Sequence, residues 1–179
     1  FLPMLYACLI MCIPRRVLGL DDCFFSDSTS GTFALSTPGC RLTKIISLGS
    51  GDTLHIHGRN AAGPLDELQA MGGTPEPDSP RRHVVVGVNA TLVLSFLRLT
   101  GGRVLGPSSS MKAEFDQNVY GGSIFVQGGV VVEQPTTAFL KVQSVLFEGC
   151  GIDTPCAAFG GGIYAGEYSY VDIPNSTFH

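Results

Sequence analysis

Hydrophobic and polar positions follow a repeating pattern in the second half of this 179-residue chain. Pairs of apolar residues stand five positions apart within short runs of alternating residues: Leu94 and Leu99, Val142 and Phe147, Ile173 and Phe178. A second motif, Gly-Gly-x-Ile followed by an aromatic residue, occurs at residues 121–125 and again at residues 160–164. Internal similarity with a period of about 31 to 39 residues indicates a solenoid, in which each repeat stacks on the next.

Alternation of apolar and polar residues predicts further short strands. They cover residues 32–36, 44–48, 53–57, 83–88, 91–94 and 96–99. In the 53–57 run, Leu54 and Ile56 are expected to point inward, and His55 and His57 outward. The unbroken valine run at residues 130–132 is typical of a strand buried within a parallel stack. These patterns predict an all-β protein.

Other stretches set the domain boundaries. Residues 20–40 are rich in Ser, Thr, Asp and Gly, and we interpret them as an N-terminal cap, because an open solenoid end exposes apolar side chains and strand edges. Residues 60–82 are rich in Gly and Pro and are interpreted as a flexible insertion, in which residues 65–71 suit one or two helical turns. Residues 41–179 then form the solenoid. The sequence ends inside a strand, so we expect truncation at the C-terminus.

Residues 1–19 differ from the rest of the chain. The apolar run at residues 1–13 has the length of a signal-peptide core, and Arg15 and Arg16 end it short of the roughly 20 residues that a membrane-spanning helix needs. A cleavage point is expected before Leu20 or Asp21. The sequence therefore predicts a signal peptide over residues 1–19, with a buried apolar segment of the fold as the alternative.

Composition narrows the function classes. Hydrophobic residues make up 44% of the chain and charged residues 15%, which favours a packed core over general disorder. The 23 glycines and 11 prolines suit short strands joined by tight turns. The net charge is −4, and the lysines and arginines are scattered rather than clustered in a basic stripe, so the sequence gives no indication of a nucleic-acid partner. The glycine run at residues 160–162 lacks the Lys-Ser/Thr of a phosphate-binding loop.

Four cysteines lie outside the predicted signal peptide: Cys23, Cys40, Cys150 and Cys156. An even number in a secreted chain predicts two disulfides, with four buried thiols as the alternative. Three pairings are open, and two of the possible bonds, Cys23–Cys40 and Cys150–Cys156, close short local loops. Asn89 and Asn175 begin Asn-x-Ser/Thr triplets and are candidate N-glycosylation sites in a eukaryotic source. We therefore expect a secreted or cell-surface protein.

The Gly-Gly-x-Ile-aromatic motif, an apolar strand and the Asn-Ser-x-Phe of residues 175–178 resemble the repeats of the pectin-lyase-like superfamily. They are most similar to polymorphic outer-membrane-type repeats, which carry GGAI and FxxN motifs. The resemblance covers about residues 40–179, with a gap at the insertion. It departs where Ser123 and Gly162 replace the usual Ala, and residues 147–150 lack the motif's Asn. The resemblance implies a right-handed parallel β-helix solenoid, here the N-terminal cap and several rungs.

A fold of this kind does not by itself give a function. We expect a binding, adhesion or structural role, because stacked strands form a rigid and elongated surface. The expected partner is a polysaccharide or a cell-surface glycan, and end-to-end association of copies is a further expectation. Membrane contact is expected only through the signal peptide or a C-terminal anchor. The alternative is a carbohydrate-active enzyme, a polysaccharide lyase or glycosidase, whose active site lies on rungs outside this sequence.

Candidate catalytic and metal-binding residues are few. His55 and His57 share one strand face, but no Cys, Asp or Glu completes a metal-binding set, so solvent-facing histidines are the favoured interpretation. His57 and Arg59 are close in sequence without the two carboxylates that glycoside hydrolysis requires. We therefore assign no catalytic, cofactor-binding or metal-binding residue. Enzymatic activity stays open, and a binding role is favoured.

Overall fold

Short β-strands form the secondary structure of the part of the chain that the computed structural model describes. That part comprises residues 20–59, 62–71, 81–105, 120–131, 134–153 and 160–179, in which no helix occurs. The predicted signal peptide and Cys156 lie outside these ranges. Within them, no helix has the length and hydrophobicity to cross a membrane. The prediction of an all-β protein is confirmed for the described residues.

Three parallel sheets hold most of the strands, and we number them by the order in which the chain enters them. Sheet 1 contains, in spatial order, β1 (Gly31–Ala34), β4 (Thr53–His57), β7 (Thr91–Ser95), β13 (Ala138–Gln143) and β17 (Ser169–Asp172). Sheet 2 contains β2 (Gly39–Arg41), β5 (Asp66–Gln69), β8 (Leu97–Thr100), β14 (Leu146–Glu148) and β18 (Thr177–Phe178). Sheet 3 contains β3 (Ile46–Leu48), β6 (Val84–Val86), β10 (Ile124–Val126) and β16 (Ile163–Ala165).

The described residues also form two smaller, two-stranded sheets. A parallel pair joins β9 (Arg103–Leu105) to β15 (Gly151–Asp153). An antiparallel hairpin joins β11 (Gly129–Val131) to β12 (Gln134–Thr136).

The chain visits sheet 1, sheet 2 and sheet 3 in the same order each time. We call one such visit a pass; the described residues form four complete passes, and β17 and β18 begin a fifth. Each strand of a sheet therefore pairs with the equivalent strand of the next pass, and all pairs within the three sheets are parallel. This topology is compatible with a parallel β-helix or solenoid.

Equivalent apolar residues of successive passes form columns in the interior. Leu94 pairs with Val142 in sheet 1, and Leu99 pairs with Phe147 in sheet 2. All four side chains are buried. Phe147 pairs in turn with Phe178, and their rings stack with centroids 4.5 Å apart and planes 9° apart. The five-residue spacing is thus the number of residues along the chain from an inward position in sheet 1 to an inward position in sheet 2.

The corner between sheet 1 and sheet 2 repeats the same backbone conformation. Phe96, Ser144 and Asn175 occupy it in three successive passes, with φ of 55°, 53° and 54°. The Phe96 amide donates to the Gln143 carbonyl oxygen, and the Ser144 amide donates to the Pro174 carbonyl oxygen. A positive φ is unfavourable for most side chains, and asparagine tolerates it best among these three. In each of these three passes, one left-handed residue therefore turns the chain from sheet 1 into sheet 2.

Residues 65–71 depart from the prediction of helical turns within an insertion. Asp66–Gln69 is strand β5, between β2 and β8 of sheet 2. Leu68 points inward and is fully buried, while Asp66 is buried beside Arg59, with 2.9 Å between a guanidinium nitrogen and a carboxylate oxygen. The helical interpretation was wrong because the local sequence gives only a weak strand pattern. The strand is stabilised instead by ladder hydrogen bonds to β2 and β8 and by the Arg59 ion pair.

The valine run also departs from its prediction. Residues 129–131 form β11, but this strand pairs antiparallel with β12 and leaves the parallel sheets. Val130 lies opposite Pro135. A proline has no amide hydrogen for a sheet ladder and suits an edge strand or a short hairpin better than a central strand. The prediction of a strand in the parallel stack was therefore wrong here.

Residues 20–40, predicted as a cap, contribute β1 and β2, the first strands of sheets 1 and 2. Phe25 of this segment is fully buried and belongs to the hydrophobic core, with its ring 5.5 Å from that of Phe33. A disulfide joins Cys23 to Cys40 and closes a loop of 17 residues. Closing a loop of this size contributes about 3 kcal/mol in the chain-entropy treatment. The disulfide therefore holds this aromatic end segment against the first strands.

Candidate functional site

Aromatic side chains are aligned on the outer face of sheet 3. Ile124 and Val126 point inward and are fully buried, so Phe125 between them points outward. The rings of Tyr120 and Tyr164 cover it there, and Phe125 is only 7% exposed. Tyr164 is its partner in the next strand, because β10 and β16 pair in register. The two rings stack with centroids 5.5 Å apart and planes 11° apart. Tyr120 adds a third ring, 4.4 Å from Tyr164. In-register parallel pairing thus converts a repeated aromatic position into an aromatic stack.

A groove of about 350 Å³ lies beside this stack. Its lining includes Phe125, Gln127, Tyr164, Glu167 and Tyr168, together with glycine backbone. A volume of this size is at the lower end of the range for small-ligand sites. The lining combines aromatic carbon surface with a neutral amide and a carboxylate.

Close backbone contacts fix the walls of the groove. The Gly166 amide donates to the Val126 carbonyl oxygen at 2.9 Å, and the Ser169 hydroxyl donates to the Gly166 carbonyl oxygen at 2.6 Å. Gly128 packs so closely on this turn that a Cβ there would overlap the Glu167 carbonyl oxygen. Tyr168 adopts a positive φ of 56° and its side chain is 50% exposed. The turn thus presents Glu167 and Tyr168 to solvent from a fixed backbone.

Arg82 supports the stack from within. Its Nε donates to the Gly121 carbonyl oxygen at 2.8 Å, and a terminal guanidinium nitrogen donates to the Tyr120 carbonyl oxygen at 2.5 Å. The guanidinium carbon lies 5.3 Å from the centroid of the Phe125 ring, within the range of a cation–π contact. Arg82 therefore joins the segment before β6 to the segment before β10 and orients the aromatic stack.

A second aromatic pair lies on the outer face of sheet 1. Phe139 and Tyr170 are partners in β13 and β17, with ring centroids 6.0 Å apart. Phe139 is 44% exposed and Tyr170 is 58% exposed. Neither residue lines the groove beside sheet 3. This pair therefore offers exposed aromatic surface on a different face of the protein.

A polar cluster is buried between sheet 2 and sheet 3. The His83 ring is fully buried, with Nε2 3.0 Å from the Leu68 carbonyl oxygen and Nδ1 2.8 Å from the Ser123 hydroxyl oxygen. A carbonyl oxygen only accepts, so Nε2 carries the proton and Nδ1 accepts from Ser123. Burial lowers the pKa of His83 to about 4, although backbone hydrogen bonds act in the opposite direction. The imidazole is therefore neutral at pH 7.

The Cys150 thiol adjoins this cluster. Its Sγ lies 3.6 Å from the Leu99 carbonyl oxygen. Burial raises the pKa of Cys150, and a hydrogen bond with Ser123 is among the smaller effects that lower it. A nucleophilic cysteine needs a lowered pKa, as in a thiolate–imidazolium pair. The partly buried Cys150 thiol and the neutral His83 imidazole instead both have Ser123 and backbone groups as hydrogen-bond partners.

The predicted disulfide cysteines have different outcomes. Cys23 and Cys40 form a disulfide, with a Cα–Cα distance of 5.1 Å. Cys150 has a free thiol, and Cys156 lies outside the described residues, so a bond between them stays a prediction.

The two candidate glycosylation residues both have a left-handed backbone conformation. Asn89 has φ of 57° at the corner before sheet 1, and Asn175 has φ of 54° at the corner before sheet 2. Asn175 is exposed, and the Asn89 amide is 3.4 Å from the Ser50 hydroxyl oxygen at the surface. Modification of either residue stays a prediction.

The residues weighed for catalysis are separate from the groove. His55 and His57 are partly exposed on sheet 1, as their alternation with Leu54 and Ile56 predicted. Arg59 is engaged by Asp66, whose carboxylate accepts from both the Arg59 amide and its guanidinium. These hydrogen bonds lower the pKa of Asp66 against the opposing effect of burial. No group of three or more His, Cys, Asp or Glu suited to a metal ion occurs in the described ranges.

Comparison with known proteins adds no relative. The chain matches no protein-family model, no curated protein and no solved structure.

Sequence reasoning identified the repeat but missed the groove that it builds. Phe125 and Tyr164 follow the two Gly-Gly-x-Ile motifs, and their equivalence was visible in the sequence. Once equivalent residues are assumed to pair in parallel, two stacked rings on an outer face follow. No local signal pointed to Glu167 and Tyr168, because their placement depends on the contact between Gly128 and the following pass.

Proposed function

We propose that this protein is a secreted or cell-surface β-helix repeat protein that binds a glycan in the groove beside sheet 3. The observation that carries the proposal is a groove in which the partly exposed Tyr164 and the 50% exposed Tyr168 lie beside Gln127 and Glu167. Phe125 is 7% exposed and supports Tyr164 by stacking on it in register. A pyranose ring has an apolar C–H face and a rim of hydroxyl groups. Aromatic faces suit the first, and amide, carboxylate and phenol groups suit the second.

A right-handed parallel β-helix related to the pectin-lyase-like superfamily is the fold we propose for the complete stack. Repeated visits to three parallel sheets in one order support it. Connections between parallel strands of one sheet are right-handed in about 98% of cases, which supports the handedness. The two Gly-Gly-x-Ile motifs lie in register, since Ile124 pairs with Ile163. Such a stack provides a rigid support for a binding surface.

Secretion is supported by the Cys23–Cys40 disulfide, since disulfides persist mainly in oxidising compartments. We expect cleavage before Leu20 or Asp21 and, in a eukaryotic host, glycans on Asn89 and Asn175. Mass spectrometry of the secreted protein before and after enzymatic deglycosylation tests both expectations. Retention of residues 1–19 in the secreted protein would contradict the predicted signal peptide.

The binding proposal is tested by titrating the protein with a panel of oligosaccharides, followed by calorimetry. Tyr168→Ala removes an exposed aromatic side chain from the groove and should weaken binding about fivefold, because an aromatic contact contributes roughly 1 kcal/mol. Tyr170→Ala is the matched control, since Tyr170 is similarly exposed but lies on the other face. Binding unaffected by Tyr168→Ala, or absent for every oligosaccharide, would refute the proposal. Turnover of a bound oligosaccharide would favour an enzyme instead.

A further inference from the structure

The charges around the groove indicate which class of saccharide it accepts. Glu167 is the one charged side chain among the described residues that line it, and Gln127 contributes a neutral amide. No lysine or arginine belongs to this described lining, and the nearby Arg82 is buried, with its guanidinium donating to the Gly121 and Tyr120 carbonyl oxygens. An acidic sugar placed there would meet a like charge and find no cation in the lining with which to pair.

The Glu167 carboxylate is also free to act on a ligand. Glu167 is exposed, and none of the ion pairs formed among the described residues involves it. Other surface carboxylates differ in this respect, since Glu148 lies 3.4 Å from an Arg98 nitrogen and Asp172 lies 4.0 Å from the Lys141 nitrogen. The turn that carries Glu167 is held by the hydrogen bonds of Gly166 and Ser169. The negative charge therefore stays at the groove.

We propose that the groove selects saccharides without negative charge, and that Glu167 is the specificity-determining residue, which favours sugars with a free amino group and rejects uronic acids. This inference rests on the proposed glycan-binding function. Its physical basis is charge complementarity: a fixed charge at the edge of a site attracts the opposite charge and penalises the like charge. At an exposed position, one such charge changes affinity about fivefold.

Three oligosaccharides of equal length test the inference: a glucosamine oligomer, its N-acetylated neutral counterpart and a galacturonic acid oligomer. Calorimetry at mildly acidic pH keeps the glucosamine amines protonated. We expect the glucosamine oligomer to bind about fivefold more tightly than the neutral oligomer and the galacturonic acid oligomer to bind most weakly. In Glu167→Gln, affinity for the glucosamine oligomer should fall to that of the neutral oligomer, whose own affinity stays unchanged.

Glu148→Gln provides the matched control, because it removes an exposed carboxylate outside the groove, and it should leave all three affinities unchanged. Tightest binding of the galacturonic acid oligomer would overturn this inference and leave the glycan-binding proposal intact. The same holds if Glu167→Gln leaves the order of affinities unaltered. No binding of any of the three oligomers, or of any in the wider panel, would instead overturn the glycan-binding proposal itself.

Discussion

The apolar column of sheet 2 and the space between sheets 2 and 3 differ in the chemistry that holds them together. In the apolar column, Leu99, Phe147 and Phe178 pair from pass to pass. In the space between sheets 2 and 3, His83, Ser123 and Cys150 are joined by hydrogen bonds. The apolar column needs only the correct spacing of hydrophobic residues. The polar region needs particular partners, because a buried polar group without one is costly.

The largest expected effect is in the apolar column of sheet 2. Phe147→Ala removes a side chain that is 1% exposed and stacked on Phe178, and it should lower the free energy of unfolding by about 3–5 kcal/mol. Phe178→Ala is the control, since Phe178 is 49% exposed and loses less buried surface. Urea denaturation of both variants measures the difference. Equal losses would show that the column does not depend on burial.

The polar region should make stability depend on pH. The unfolded His83 imidazole takes up a proton near pH 6.5, whereas the pKa in the folded chain is about 4. Between these values the unfolded state binds more protons, so stability falls as pH decreases from about 6.5 to about 4, by about 3 kcal/mol in total. Denaturation at several pH values measures this slope.

His83→Gln isolates the contribution of the buried ring to that slope. The Gln amide can donate and accept hydrogen bonds but does not titrate. The total loss of stability between about pH 6.5 and about pH 4 should therefore be about 3 kcal/mol smaller in this variant. His55→Gln, at a partly exposed position of sheet 1, is the matched control for replacing a histidine by glutamine. A slope that persists in His83→Gln would assign the pH dependence to other groups.

Two glycines at equivalent positions in successive passes should differ in how well they tolerate alanine. Gly122 and Gly161 occupy the same place in successive passes, and the Gly122 amide donates to the Gly161 carbonyl oxygen. A Cβ at Gly122 would overlap the carbonyl oxygens of Gly151 and Gly161, whereas nothing lies within 4 Å of a Cβ at Gly161. Gly122→Ala should cost about 2 kcal/mol and Gly161→Ala should be nearly neutral or slightly stabilising. Thermal unfolding that ranks them in the reverse order would contradict this packing.

The smallest effect is expected at the left-handed corner. Ser144 has φ of 53° in the position that Asn175 occupies one pass later. Asparagine tolerates this conformation better than serine, so Ser144→Asn should raise stability by about 0.5 kcal/mol. Ser144→Val is the opposing control, because a β-branched side chain is strained there and should destabilise the chain. A destabilising Ser144→Asn would mean that the corner hydrogen bonds outweigh backbone preference.

The sequence was sufficient for the parts of the fold that depend on spacing alone. The five-residue spacing of Val142 and Phe147 predicted repeated strands, and the alternation around Leu54 placed His55 on the outside. Strand β5 was missed because its single inward hydrophobic residue, Leu68, gives little periodicity, and a distant arginine holds Asp66. Local patterns carry no information about such partners.

The candidate site could be predicted only in part from the sequence. Phe125 and Tyr164 are equivalent in the repeat, so their stacking follows from pairing in register. The groove itself depends on how closely Gly128 approaches the turn at Glu167, which no single stretch of sequence specifies. The His83–Ser123 bond likewise joins residues 40 positions apart. Contacts between passes, rather than local preferences, build both features.

The most direct test of the binding proposal locates a bound saccharide by nuclear magnetic resonance. Amide chemical shifts of the isotope-labelled protein are followed during titration with the tightest-binding neutral or amino oligosaccharide. We predict that the largest changes occur at residues 125–128 and 164–168, with little change at Phe139 and Tyr170. Changes centred on Phe139 and Tyr170, or no saturable change at any residue, would contradict glycan binding in the groove beside sheet 3.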